Sequence, residues 1–193
     1  MNLDIYKKQL IQLASRLNGS YFDSREESII FKNNIENFLD ENFEIYINAT
    51  TEERNEIRQI IKDYDRSEKD VFEGGPPAPF RYALNFYGIR AIKQLEETGN
   101  VVWLWRGLVA ISMLDGIHYR PDDEEHLARL YVAAEEKGIN PKPIYQQIAK
   151  ISNNKPTKQG QVSTSNLIDS IPSIAHKFVD EFRKMFIVDK DNE

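Results

Sequence analysis

The chain has 193 residues, 40 % hydrophobic and 29 % charged, an ordinary if slightly polar globular composition. Its 25 basic and 31 acidic residues leave a formal charge of −6, which weighs against broad attraction to nucleic acid or anionic membrane. There is no cysteine, which excludes disulfides, thiolate zinc sites and cysteine nucleophiles.

Met1-Asn2-Leu3-Asp4 lacks the basic-then-apolar layout of a secretory signal, so a cytoplasmic protein is expected. Asp4 to Leu17 predicts an amphipathic helix through Ile5, Leu10, Leu13, Ala14 and Leu17, stopped by Asn18-Gly19. Ser24 and Glu27 have capping-box spacing and open a second helix, with Ile30, Phe31, Ile35, Phe38 and Leu39 on one face. Phe43, Ile45 and Ile47 alternate in the manner of a strand, but no partner strand is evident. An extended connector or irregular helix end is expected there.

Thr50 and Glu53 form a second capping box, opening a helix to about Asp70 whose apolar face is Ile57, Ile60, Ile61 and Tyr64. Arg54, Arg58, Lys62 and Arg66 repeat at four-residue intervals along it as a basic row. Residues 52–73 nonetheless hold five basic against eight acidic residues, and no aromatics interleave for base stacking. A solvated face is expected rather than a nucleic-acid site.

Glu73-Gly-Gly-Pro-Pro-Ala-Pro79 is the strongest break in the chain. Phe80–Thr98 reads as one helix, ended by Gly99, and Val101–Leu114 follows at once with a single charge, Arg106. That run is apolar on every side, the mark of a helix buried by other protein. Its fourteen residues fall short of the roughly twenty a bilayer crossing needs. Asp115-Gly116 ends it. Pro121–Lys137 is the next helix, Gly138-Ile139-Asn140-Pro141 a turn, and Lys142 to about Ile151 a short helix.

Glu96-Glu97-Thr98-Gly99-Asn100 echoes Glu135-Glu136-Lys137-Gly138-Ile139-Asn140, the glycines lying 39 positions apart. The spacing resembles the roughly forty-residue period of HEAT and armadillo helix pairs, although two copies are fewer than such arrays need. Residues 153–166 are a polar linker. Beyond them Ile168, Ile171, Ile174, Ala175, Phe178, Phe182, Met185 and Phe186 form a helical stripe, with Ser165 or Asn166 as cap and Pro172 in its first turn or two. The stripe docks on the protein's own core, or serves a partner or a second copy.

Three groups of residues are candidates for function. Asp115, His118, Asp122 and His126, with Asp123, Glu124 and Glu125 among them, offer carboxylate and imidazole as a zinc, iron or manganese site would need. Carboxylates in the first turn of a helix are explained equally by its amides and positive end, so no metal or other cofactor is expected. Arg106, costly inside an apolar helix unless paired, is expected to meet a carboxylate such as Asp115 or to wait for an anionic group; Gly107 beside it admits a neighbouring helix. Trp103 and Trp105 point about 200° apart, at least one of them into the core and either a potential anchor for a partner. His176 is expected at the surface. No nucleophile elbow, P-loop or dinucleotide fingerprint is present.

The expected fold is all-α: an N-terminal helical layer (1–72), a Gly/Pro linker (73–79), a central bundle of stacked antiparallel hairpins (80–152), the polar linker (153–166) and an amphipathic C-terminal helix (167–193). The expected function is non-enzymatic protein binding through Trp103, Trp105, Arg106, Phe178 and Phe182, with a metal-dependent enzyme at the Asp115/His118/Asp122/His126 cluster as the alternative.

Overall fold

The computed structural model describes residues 2–15, 24–64, 79–114, 121–152 and 164–187. Among the described residues the protein is all-helical, with eight α-helices and no strand. They are α1 (Leu3–Ala14), α2 (Arg25–Asn48), α3 (Thr51–Tyr64), α4 (Pro79–Thr98), α5 (Val101–Met113), α6 (Pro121–Glu136), α7 (Lys142–Ile151) and α8 (Thr164–Ile187). No helix among the described residues is long and apolar enough to cross a membrane. The chain divides into two compact units: Met1–Gly88 with Val109–His118, and Ile89–Leu108 with Tyr119–Glu193.

In the first unit, α1, α2 and α3 bury one face each, through Tyr6, Leu10 and Ala14, through Phe31, Ile35, Phe38, Leu39, Phe43 and Tyr46, and through Ile57 and Ile61. Tyr6 packs on Phe38 with ring centroids 4.6 Å apart, and Phe31 meets Phe80 edge-on at 5.4 Å. Both capping boxes form. Ser24 Oγ accepts from the Glu27 amide at 3.1 Å. Thr50 and Glu53 satisfy each other's amides, at 2.6 and 3.2 Å.

Two expectations are overturned here. Phe43–Ile47 is the last part of α2 rather than an extended connector. Phe38, Leu39, Asn42, Phe43 and Tyr46 are the buried positions, a helical spacing that the alternation of Phe43, Ile45 and Ile47 concealed. The basic row of α3 is not a solvated face. Arg54 and Arg58 are each only 5 % exposed, whereas Lys62 faces solvent and Arg66 lies outside the described residues. Arg54 Nη1 donates to the carbonyls of Tyr46, Ile47 and Ala49, closing the C-terminal end of α2 where no amide follows to fill them. Burial holds its guanidinium below the usual arginine range. Arg58 donates to Tyr46 Oη at 3.0 Å and to Asn55 Oδ1 at 2.7 Å, and Tyr46 in turn donates to the Ser112 carbonyl at 3.1 Å. The expected stop at Asn18-Gly19 and the break at 73–78 lie outside the described residues, as does the end of α3 beyond Tyr64.

The second unit is built on a hairpin. Gly99 takes φ of 63°, its amide bonding the Leu95 carbonyl, and the Asn100 side chain then accepts from the Val102 amide to start the next helix. Gly138 at 73° and Asn140, which accepts from Lys142, repeat the device between α6 and α7. There the closure is a Schellman pair, Ile139 N–H to Ala134 and Gly138 N–H to Glu135. Gly107 does admit a neighbour: a Cβ there would lie 2.8 Å from Leu130 Cδ1 on α6 and 3.2 Å from Ala91 Cβ on α4. Tyr145 of α7 donates to the Leu127 carbonyl at 2.5 Å and meets Tyr131 edge-on at 5.1 Å.

Helix α8 lies along α6 and α7, burying Ile168, Ile171, Ala175 and Val179. It begins at Thr164, so Ser165 and Asn166 sit inside its first turn instead of capping it, and Pro172 falls in its interior rather than near its start. A proline there withholds one helical amide and crowds the preceding turn. Residues 153–163 of the expected linker lie outside the described ones.

Candidate functional site

The expectation that Val101–Leu114 is shielded on every side holds for Leu104 and for Gly107 to Leu114, which are buried. It fails at the start of α5. Val101 is 38 % exposed, and Val102, Trp103, Trp105 and Arg106 are half-buried. Neither tryptophan is fully in the core. Hairpin packing explains the gradient: tight contact is recorded where Gly107 meets Ala91 and Leu130, whereas the larger side chains one turn earlier reach towards solvent.

The feature this creates is a tryptophan with two guanidinium groups over it. Arg106 Cζ stands 4.6 Å from the Trp103 ring centroid, and Arg90 Cζ, carried by α4, stands 5.1 Å from it. Arg106 and Trp103 share a face of α5 because they are three residues apart. Both distances fall within cation–π range, where the ring's negative face attracts the cation. A delocalised guanidinium suits this geometry better than an ammonium, since it lies flat on the ring while its N–H donors radiate in its plane. Sequence reasoning missed Arg90. A signal for it existed in the hairpin itself: Arg90 and Arg106 lie nine residues before and seven after Gly99, nearly mirrored positions on two antiparallel helices.

The charge around this site is local. Arg106 is the sole ionisable side chain in Val101–Met113, and Lys93 lies a turn beyond Arg90 on α4, with Glu97 3.8 Å from its ammonium. Glu96 is approached instead by Arg129 of α6, at 3.9 Å, which also pairs with Glu125 at 3.3 Å. Exposed Ile89 lies next to Arg90 in sequence.

The remaining candidates are not brought together with it by any recorded contact. Phe178 is half-buried on α8, and Phe182 is also on α8, its side chain outside the described ones. His176 is exposed, as expected, and its Nε2 lies 2.6 Å from Glu135 Oε2 on α6. Asp115, the suggested partner of Arg106, and His118 lie outside the described residues, as does the side chain of Asp122. Asp123 and His126 are buried on α6. Among the described residues no three histidine or acidic side chains converge as a metal-binding group.

No protein-family model, curated protein or solved structure matches this chain.

Proposed function

We propose that the chain is a non-enzymatic helical protein-interaction module, of the adaptor, inhibitor or immunity type, whose recognition surface is centred on Trp103. The observation carrying this reading is the half-buried indole with Arg90 and Arg106 over it. Tryptophan and arginine dominate the energetics of protein interfaces, because each contributes a large rigid surface and a polar edge. A fully buried pair would serve stability alone. An indole on the surface without neighbours would lack the surrounding groups that exclude water from an anchor. Trp103 lies between these cases.

Phe178 and Phe182 enter the reading in a secondary role. The most buried residues of α8 already cover α6 and α7, so a partner or second copy engaging this helix has Phe178 and positions beyond it to use. Nucleic acid and membrane are not part of the proposal, given a formal charge of −6.

The test uses the intact chain as bait beside a Trp103→Ala chain of equal helical content. Polypeptides held by the first and lost from the second, then shown to bind the purified protein directly, support the reading. An unchanged set of captured polypeptides, or none that binds directly, removes it.

A further inference from the structure

We infer that the Arg90–Trp103–Arg106 stack receives a carboxylate-bearing segment of a protein, its acidic side chains pairing with the guanidinium edges while an apolar side chain rests against the indole. This rests on the interaction-module reading and gives the partner its chemistry.

Three observations lead to it. First, two like charges converge on one ring, 4.6 and 5.1 Å from its centroid. The indole quadrupole compensates part of that positive field, and an arriving anion compensates more. Second, the arrangement restrains two flexible side chains in advance. Arginine and its stem ordinarily lose about 2 kcal/mol of rotamer freedom when fixed, and a guanidinium already lying on a ring has lost part of it before a partner arrives. Its face is occupied by the indole, but its five donors lie in the plane of the fork, the geometry that accepts a carboxylate through two parallel bonds. Third, the local charge runs against the global one. The whole chain carries −6, yet α5 contributes only the Arg106 charge and the adjoining part of α4 adds Arg90 and Lys93. A compact acidic segment is drawn to so small a basic spot. An extended polyanion would also meet the acidic remainder of the surface.

The experiment follows Trp103 itself. The protein has two tryptophans, so a Trp105→Phe chain makes Trp103 the sole fluorophore. Calorimetry on the unaltered chain provides a second measurement that does not depend on that substitution. The probes are a short synthetic peptide of alternating Glu and Leu, its Gln/Leu counterpart, its Lys/Leu counterpart, and a single-stranded oligothymidylate. The Glu/Leu peptide should bind saturably and shift the Trp103 emission, with affinity falling about tenfold as sodium chloride rises from about 0.05 to about 0.5 M. Arg106→Glu and Arg90→Glu should each weaken it by about tenfold or more, and Arg106→Lys by less, since it keeps the charge but loses the fork. Circular dichroism of each variant checks that the helices persist.

Equal binding of the Gln/Leu peptide through Trp103 would overturn the carboxylate inference and leave the interaction-module reading standing. Preference for the Lys/Leu peptide, or tighter binding of the oligothymidylate, would overturn it in favour of another chemistry. No response of Trp103 to any peptide would overturn the inference. If the bait experiment also shows no dependence on Trp103, the broader reading falls with it.

Discussion

The two units use arginine in opposite ways. In the first, Arg54 and Arg58 are buried, and their donors are taken by the last carbonyls of α2, by Tyr46 Oη and by Asn55. In the second, Arg90 and Arg106 lie over a half-buried indole near solvent. Residue type is the same and so is charge. What differs is the acceptor: a helix end fixes the guanidinium as part of the core, whereas an aromatic face orients it without using its in-plane donors. Arginine in a helical protein is therefore a stabilising or a recognising group according to what it faces, which its position in the sequence alone does not state.

The largest test of this contrast concerns what the two cores share. Each holds a fully buried tyrosine, Tyr6 in the first unit and Tyr145 in the second, and burial pushes both hydroxyls well above the usual phenol range. A raised folded value means the native state keeps a proton that the unfolded chain gives up. That contribution is intact below about pH 10, the unfolded value, and is lost as pH rises beyond it. Alkaline titration should show tyrosinate absorbance appearing together with loss of helical circular dichroism. Early ionisation of both tyrosines with the helices intact would show that neither core is closed.

Next in size is the direct comparison of arginines. Arg54→Met leaves three carbonyls at the end of α2 without their donor and should cost about 2–3 kcal/mol in urea denaturation. Arg106→Met removes a cation–π contact near solvent and should cost about 1 kcal/mol or less. A reversed order would break the comparison outright.

Gly107→Ala probes the hairpin beneath the candidate surface. The added methyl gains about 1 kcal/mol of helix propensity but meets Leu130 and Ala91 at 2.8 and 3.2 Å. A net loss of about 1 kcal/mol is expected, visible as a lower melting temperature; a gain would mean that the contact yields without cost. The smallest effect belongs to Tyr6→Phe. The Tyr6 hydroxyl is buried with no hydrogen-bond partner, so its removal should leave stability unchanged or raise it by up to about 1 kcal/mol. A clear loss would point to a bond made by that hydroxyl.

Much of the fold was legible because it is coded locally. The capping boxes at Ser24/Glu27 and Thr50/Glu53, the terminating Gly99 and Gly138, and the small Gly107 each act through neighbours within a turn or through the absence of a side chain. What escaped depends on partners distant in sequence or on the competition between periods. Phe43, Ile45 and Ile47 alternate like a strand, yet Tyr46 between them is the residue whose burial fixes the helical register. The solvated reading of Arg54 and Arg58 failed because their acceptors belong to the preceding helix end and to Tyr46, which a charge count does not register. At the candidate site Trp103 and Arg106 were legible from their own helix. Arg90 reaches the same ring from the other arm of the hairpin, so a reading of single helices passes over it.

The claim that Trp103 marks the recognising surface is tested most directly by placing a photoreactive aromatic amino acid at position 103, and separately at position 178, in the intact chain and irradiating it among the other proteins of its host. The account predicts adducts with another polypeptide from position 103, suppressed by a further Arg106→Glu change, and few from position 178. Adducts from position 178 alone, or from neither position, would contradict it.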